Sequence, residues 1–191
     1  MSPANPQPHD GGWSSQATST HLDAVLSRHR HQRGANDCGP FSAAMVIGAL
    51  GDSVVDHVDL AREMDRPRGS GPWGLIPLIR RVPDNATFPW GMADILRSHG
   101  LDAHSRMGMH ADELAGLLDE GNLIIPIVGS WRWRPWAHYI VLLARNPAHG
   151  WGFADPDRRS ATLLWWDDAQ FRRRWRAFAN TAVVARSKAD V

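Results

Sequence analysis

The sequence predicts an α+β fold: a helical lobe over about residues 20–121, then an antiparallel β-sheet lobe over about residues 122–191, with a cleft between them. Three observations predict it. Up to Gly121 apolar residues recur at three- and four-residue spacing, the period that buries one face of a helix. After Gly121 they fall instead in short runs bounded by turn residues, which reads as strands. A single helical pattern interrupts those strands, so helices dominate the first part of the chain and sheet the second.

Residues 1–19 are rich in Pro, Gly, Ser and Gln and poor in large apolar side chains, so they are expected to form a tail without fixed structure. From Thr20, Leu22, Val25 and Leu26 have helical spacing, and Thr20 with Asp23 offers a capping arrangement. Residues 28–33 are basic. His29 and His31 raise the question of a metal, but no further ligand at metal-site spacing follows, and solvated charge is the better reading. Cys38 opens the central helix, with Asp37 near the N-cap and Pro40 tolerated in the first turn. Phe41, Ala44, Met45 and Ile47 give that helix a buried face before Gly51. Further helices are expected over 53–64, 89–98 and 112–120, the last two stopped by Gly100 and Gly121, with a Gly/Pro loop over 66–74. Strands are expected over 123–128, 137–144, 151–154, 161–166 and 181–185, with a turn at 146–150. The interrupting helix spans 168–178. Arg172, Arg173, Arg174 and Arg176 make it basic, but Phe171, Trp175 and Phe178 share its other face, so it reads as an amphipathic helix with a solvated cationic side rather than a nucleic-acid site.

Composition narrows the function classes. With 191 residues, 43% hydrophobic and 21% charged, the chain suits one globular domain with a sizeable core. A net charge of +1 gives no overall pull toward nucleic acid or membrane. No apolar stretch is long enough to span a bilayer and no secretory signal is present, so the chain is expected to be cytoplasmic, with export by a signal-independent route left open. Ten tryptophans stand against one tyrosine, and three of them cluster as Trp131, Trp133 and Trp136. Trp136 is read as covering the core edge. Trp131 and Trp133, interleaved with arginines, are read as a substrate-facing loop, because aromatic rings grip extended peptides at little entropic cost.

Cys38 is the only cysteine, so it closes no intrachain disulfide. Lone cysteines are most often small buried hydrophobes. Its place at a helix start argues for more, since the positive end of the helix dipole favours the thiolate form of a nucleophile. Three other residues strengthen that reading. Gln32, six positions upstream, can turn back through Gly34 to aim its amide, with the Cys38 N–H, at a developing oxyanion. His138 is an isolated polar ring at the head of an apolar run, where a histidine satisfied by a backbone carbonyl is the plainer alternative. Asp155, 17 residues later, ends the next apolar run, so on paired antiparallel strands it would meet and orient the imidazole. His57, His99, His104, His110 and His149 lack a paired nucleophile and read as surface residues, and Ser42 and Ser130 lack a nucleophile-elbow signature.

The run from Gln32 to Asp37-Cys38-Gly39-Pro40, followed by His138-Tyr139-Ile140-Val141 and Ala154-Asp155-Pro156, resembles the bacteriocin-processing (double-glycine) cysteine peptidases and their stand-alone relatives in the papain-like superfamily. The resemblance runs from Gln32 to the C-terminus with interruptions. It implies a papain-like fold with Cys38 as nucleophile, His138 as base, Asp155 as orienting carboxylate and Gln32 as oxyanion donor. It also implies a peptide or protein substrate, met by Trp131, Trp133 and Gly39, with no metal or other cofactor and no nucleic acid. Bacteriocin-maturing members are usually fused to a transporter and an ATPase domain, and this sequence contains neither. Alternatives are an amide hydrolase or acyl transferase acting on a non-protein target such as cell-wall peptide, including as a toxin or effector, and a non-catalytic peptide-binding module. The oligomeric state is not encoded in any motif.

Overall fold

A computed structural model describes residues 16–34, 36–51, 54–70, 76–132 and 134–190. The chain begins with a short strand, β1 (Ala17–Thr18), and then helices α1 (Leu22–Ser27), α2 (Cys38–Leu50) and α3 (His57–Asp65). Two small hairpins follow, β2 (Arg68–Ser70) with β3 (Ile76–Leu78), and β4 (Arg81–Val82) with β5 (Ala86–Thr87). Then come α4 (Pro89–Ser98), β6 (Leu101–Arg106), α5 (Ala111–Asp119), β7 (Leu123–Ser130), β8 (Trp136–Tyr139), β9 (Val141–Asn146), β10 (Gly150–Ala154), β11 (Leu164–Trp166), α6 (Asp168–Arg176) and β12 (Ala182–Ser187). The α+β class expected from the sequence is observed.

An eight-stranded antiparallel sheet runs β11-β10-β9-β7-β12-β6, with β1 on β9 and β8 on β7. Both faces are covered, which explains why β7 reads as an uninterrupted apolar run. Leu123, Ile125 and Ile127 point to one core with Val141, Leu143, Val183 and Ala185, whereas Ile124 and Val128 point to the other with Leu142, Ala182 and Val184. The first core is closed by α2, α3 and α4 through Met45, Val46, Ile47, Leu60, Met64, Met92 and Ile95. The second is closed by α5 and α6 through Leu114, Leu118, Phe171 and Trp175. The central helix α2 is buried over most of its length rather than amphipathic, as its run of small and apolar residues demands.

Four details correct the sequence reading. The tail was expected to reach Ser19, yet Ala17 and Thr18 pair with Arg145 and Ala144 of β9, and the Ser19 N–H donates to the Leu143 carbonyl. Strand β6, from the part expected to be helical, pairs along its whole length with β12, from Leu101↔Ser187 to Arg106↔Ala182. Its polar residues hid it: only Leu101 and Ala103 are buried. The residues 137–144 form two strands, not one, divided at Ile140, with the Ser42 hydroxyl of α2 donating to the Tyr139 carbonyl of β8. The residues 66–74, expected to be loop, include strand β2.

One close approach sets a stability prediction. Gly91 in the first turn of α4 lies so near the Arg80 backbone that a Cβ would sit 2.1 Å from the Arg80 oxygen and 2.4 Å from its Cα. Backbone atoms cannot step aside as a flexible side chain can. Gly91→Ala is therefore expected to destabilise the protein by about 3 kcal/mol, read as a lower urea midpoint. An unchanged midpoint would mean that α4 and the backbone just before β4 do not pack this tightly.

Candidate active site

Cys38 is half-buried at the first position of α2. Asp37 precedes it at the N-cap position, yet its side chain makes no capping hydrogen bond. The carboxylate instead pairs with Arg81 Nη1 at 2.8 Å, while Arg81 Nε pairs with Asp65 at 2.9 Å. Arg81 is only 2% exposed, and these contacts fall outside good hydrogen-bond angles, so charge rather than alignment holds them. The result is a helix N-terminus whose N–H groups are not covered by the residue best placed to cap them.

His138 lies on β8, paired with Val128 of β7. Its Nε2 meets Asp155 Oδ1 at 2.6 Å, and the Cys38 side chain lies near enough to act on the ring's charge. With Nε2 committed to the carboxylate, Nδ1 is the nitrogen left for the sulfur. Burial disfavours the charged ring, but the hydrogen bond to Asp155 and the influence of Cys38 and Asp155 on its charge outweigh it and push His138 up to about 10. Burial would likewise raise the Asp155 carboxyl. Its hydrogen bond to His138, that ring's charge and the Asp157 N–H together hold it below the usual carboxylate range.

Asp155 reaches this position through strand register. On the β9–β10 pair, Phe153 faces Leu142 and Ala154 faces Val141, which brings residue 155 to the end of β8. A tight turn then fixes it: the Asp157 N–H donates to Asp155 Oδ1 at 2.9 Å, and the Arg158 N–H to the Asp155 carbonyl at 3.1 Å. Asp157, the nearby carboxylate open to confusion with it, is exposed.

The residues before α2 fold back onto this turn. Arg33 and Gly34 take positive φ values of 52° and 79°, reversing the chain between Gln32 and Cys38 as the sequence suggested. The Gln32 N–H donates to the Pro156 carbonyl at 2.8 Å, beside Asp155, and its side-chain Oε1 is buried without a hydrogen-bond partner. His29 belongs to the same anchor and corrects the reading of solvated charge. It is buried, and its Nε2 meets the Asp155 carbonyl oxygen at 2.9 Å. A carbonyl only accepts, so Nε2 carries the proton. No local signal marks His29 in sequence, because its partner lies 126 positions away.

Tyr139 and Thr87 tie β8 to β5 beside the start of α2. Tyr139 is buried and donates its hydroxyl to the Thr87 carbonyl at 3.0 Å, and burial, followed by the nearby Cys38 charge, pushes its phenol well above the usual range. The expectation that Gly39 faces substrate is corrected here. Gly39 is buried, and a Cβ on it would lie 2.2 Å from Thr87 Oγ1, so the absence of a side chain serves the close approach of β5 to α2.

Trp131 is 65% exposed, its indole N–H donating to the Ala177 carbonyl and its ring tilted against Phe178 at 5.1 Å. Trp133, the other expected substrate-binding ring, lies outside the described residues. Among the described residues no group of three or more His, Cys, Asp or Glu side chains is arranged to hold a metal ion, and no helix is long and apolar enough to cross a membrane.

Comparison with known proteins adds the fold. No family model and no curated protein matches the sequence. Solved structures do match. A protein named as a C39-like peptidase from Bacillus anthracis aligns at 14% identity and TM-score 0.66, covering 91% of this chain and 100% of that one. A double glycine motif protease from an AMS/PCAT transporter, in complex with the leader peptide, aligns at 16% identity and TM-score 0.54, covering 84% of this chain and 91% of that one. The peptidase domain of Streptococcus ComA, a bifunctional ABC transporter of a quorum-sensing pathway, aligns at 17% identity and TM-score 0.54, covering 83% and 97%. The chain thus has the papain-like fold of the C39, or double-glycine, cysteine peptidases.

Proposed function

We propose that the chain is a cysteine peptidase that hydrolyses peptide bonds with Cys38 as nucleophile, His138 as acid and base, Asp155 as the carboxylate that orients the ring, and Gln32 as an oxyanion donor. The observation that supports this reading is the imidazole of His138, which meets Asp155 at 2.6 Å and lies within electrostatic reach of Cys38. Sulfur attacks the peptide carbonyl, forming a carbon–sulfur bond. The oxyanion is held by the Gln32 amide and the Cys38 N–H, at a helix end that Asp37 leaves uncapped. The carbon–nitrogen bond then breaks as His138 gives its proton to the leaving amine. Water attacks the thioester, His138 accepts its proton, and the sulfur departs. A bound leader peptide in one structural neighbour supports a peptide as the substrate class here.

The test is incubation with a synthetic peptide library, reading new termini by mass spectrometry. Cuts at a defined subset of bonds are expected, with residues of small side chain before the cut. Absence of cuts, with release of ammonia or transfer of acyl groups to added amines instead, would favour an amide hydrolase or acyl transferase.

The raised His138 sets a pH dependence. The ring must carry a proton to donate it, so kcat/KM is expected to fall as pH rises through about 10. Asp155→Asn removes the carboxylate charge that opposes the effect of burial, so the alkaline limb should move to lower pH. A limb that stays in place would mean that Asp155 does not govern the proton on His138.

A further inference from the structure

A groove of about 470 Å³ opens between the end of the β7–β8 pair and helix α6, lined by Trp131, Arg132, Trp136, Arg173 and Arg174 together with Ser130 and small residues. Its chemistry is unusual in two respects. None of its lining residues is acidic, and the acidic side chain in the first turn of α6, Asp168, is already engaged by Arg172 and the Trp151 indole. One of its cations is also held in place by rings: the Arg174 guanidinium lies 4.3 Å from the Trp166 ring centre and 5.6 Å from that of Trp136. Burial, and then the adjacent Arg173, pull Arg174 below its ordinary value, so the cations repel one another at a site that an anion would relieve.

The groove also lies beside the proposed chemistry. Trp136 is two residues before His138 on β8, and regular pairing of both with β7 puts their side chains on the same side of the strand, roughly 7 Å apart. Accepting the peptidase reading, we infer that this groove receives an acidic side chain of the peptide substrate, the arginines taking its carboxylate and the tryptophans flanking its backbone. At about 3.3 Å per residue of extended chain, the carboxylate would stand at least about two residues from the scissile bond. An oligonucleotide fits the observations less well, because the cationic stretch of α6 covers little more than one turn and the chain as a whole carries only +1.

The test uses the full-length Cys38→Ala protein, so that binding is read without turnover. Fluorescein-labelled decapeptides identical except for paired Glu/Asp or Gln/Asn residues are titrated by fluorescence polarisation. The acidic peptide is expected to bind at least about tenfold more tightly at low salt, with the difference shrinking as salt rises. Arg174→Gln should remove the preference, and Arg173→Glu, at an exposed position that tolerates substitution, should reduce it without disturbing the thermal melt. Equal binding of the two peptides, or an acid preference untouched by both substitutions, would overturn the proposal. So would a single-stranded oligonucleotide that binds more tightly than the acidic peptide and is lost on the same substitutions. Wild-type protein that cuts peptides without an acid preference would defeat the groove and leave the peptidase reading standing. Selective acid binding by a protein that cuts nothing would do the reverse.

Discussion

Cys38→Ala is expected to slow peptide hydrolysis by about 10⁴-fold or more, while the protein keeps its fold. The loss follows from removing the atom that forms the covalent intermediate, for which no neighbouring hydroxyl substitutes: Ser42 is buried with its oxygen committed to the Tyr139 carbonyl. Retention of the fold follows from the position. Cys38 is half-buried at the start of a helix, alanine is the best helix former, and only one sulfur is removed from the cleft. The thermal midpoint should therefore move by only a few degrees. A folded Cys38→Ala protein with undiminished hydrolysis would exclude the thiol mechanism.

The second large effect is expected at His138. His138→Ala removes both the proton donor and the partner of Asp155, and a loss of about 10³- to 10⁴-fold in kcat, with KM little changed, is the expected kinetic signature. Unlike Cys38→Ala, this substitution should also lower stability. Asp155 is 9% exposed, and without the ring its carboxylate keeps the Asp157 N–H but loses its charged partner. Adding back imidazole in solution should restore part of the rate if the ring acts as acid and base. No rescue, together with a KM rise that accounts for the whole effect, would assign His138 to substrate binding instead.

Those residues were legible in sequence because each sits where a local rule operates. A cysteine before an apolar helical run announces a helix N-terminus. A histidine just before one apolar run and an aspartate just after the next are brought near each other by hairpin register, since the pairing of Val141 with Ala154 sets residue 155 at the end of β8. The chain reversal after Gln32 was legible for the same reason, through the turn at Gly34.

What escaped depends on contacts distant in sequence. His29 and Arg81 look like surface cations in any local window. They are buried because one meets the Asp155 carbonyl and the other two carboxylates brought from the ends of separate helices. Gly39 reads as a residue left open for substrate until β5 supplies Thr87 directly above it. Strands β1 and β6 were missed for a related reason: β1 is two residues long, β6 is mostly polar, and both exist because β9 and β12 offer edges to pair with.

The central claim is that imidazole and sulfur act as one unit, and the most direct measurement of it is the rate at which iodoacetamide labels Cys38 at pH 7 in the wild-type and His138→Ala proteins, against a short cysteine peptide. Labelling at least about tenfold faster than the peptide in wild type, falling toward the peptide's rate in His138→Ala, is the predicted result. A Cys38 that reacts no faster than the free thiol, at a rate indifferent to residue 138, would contradict it.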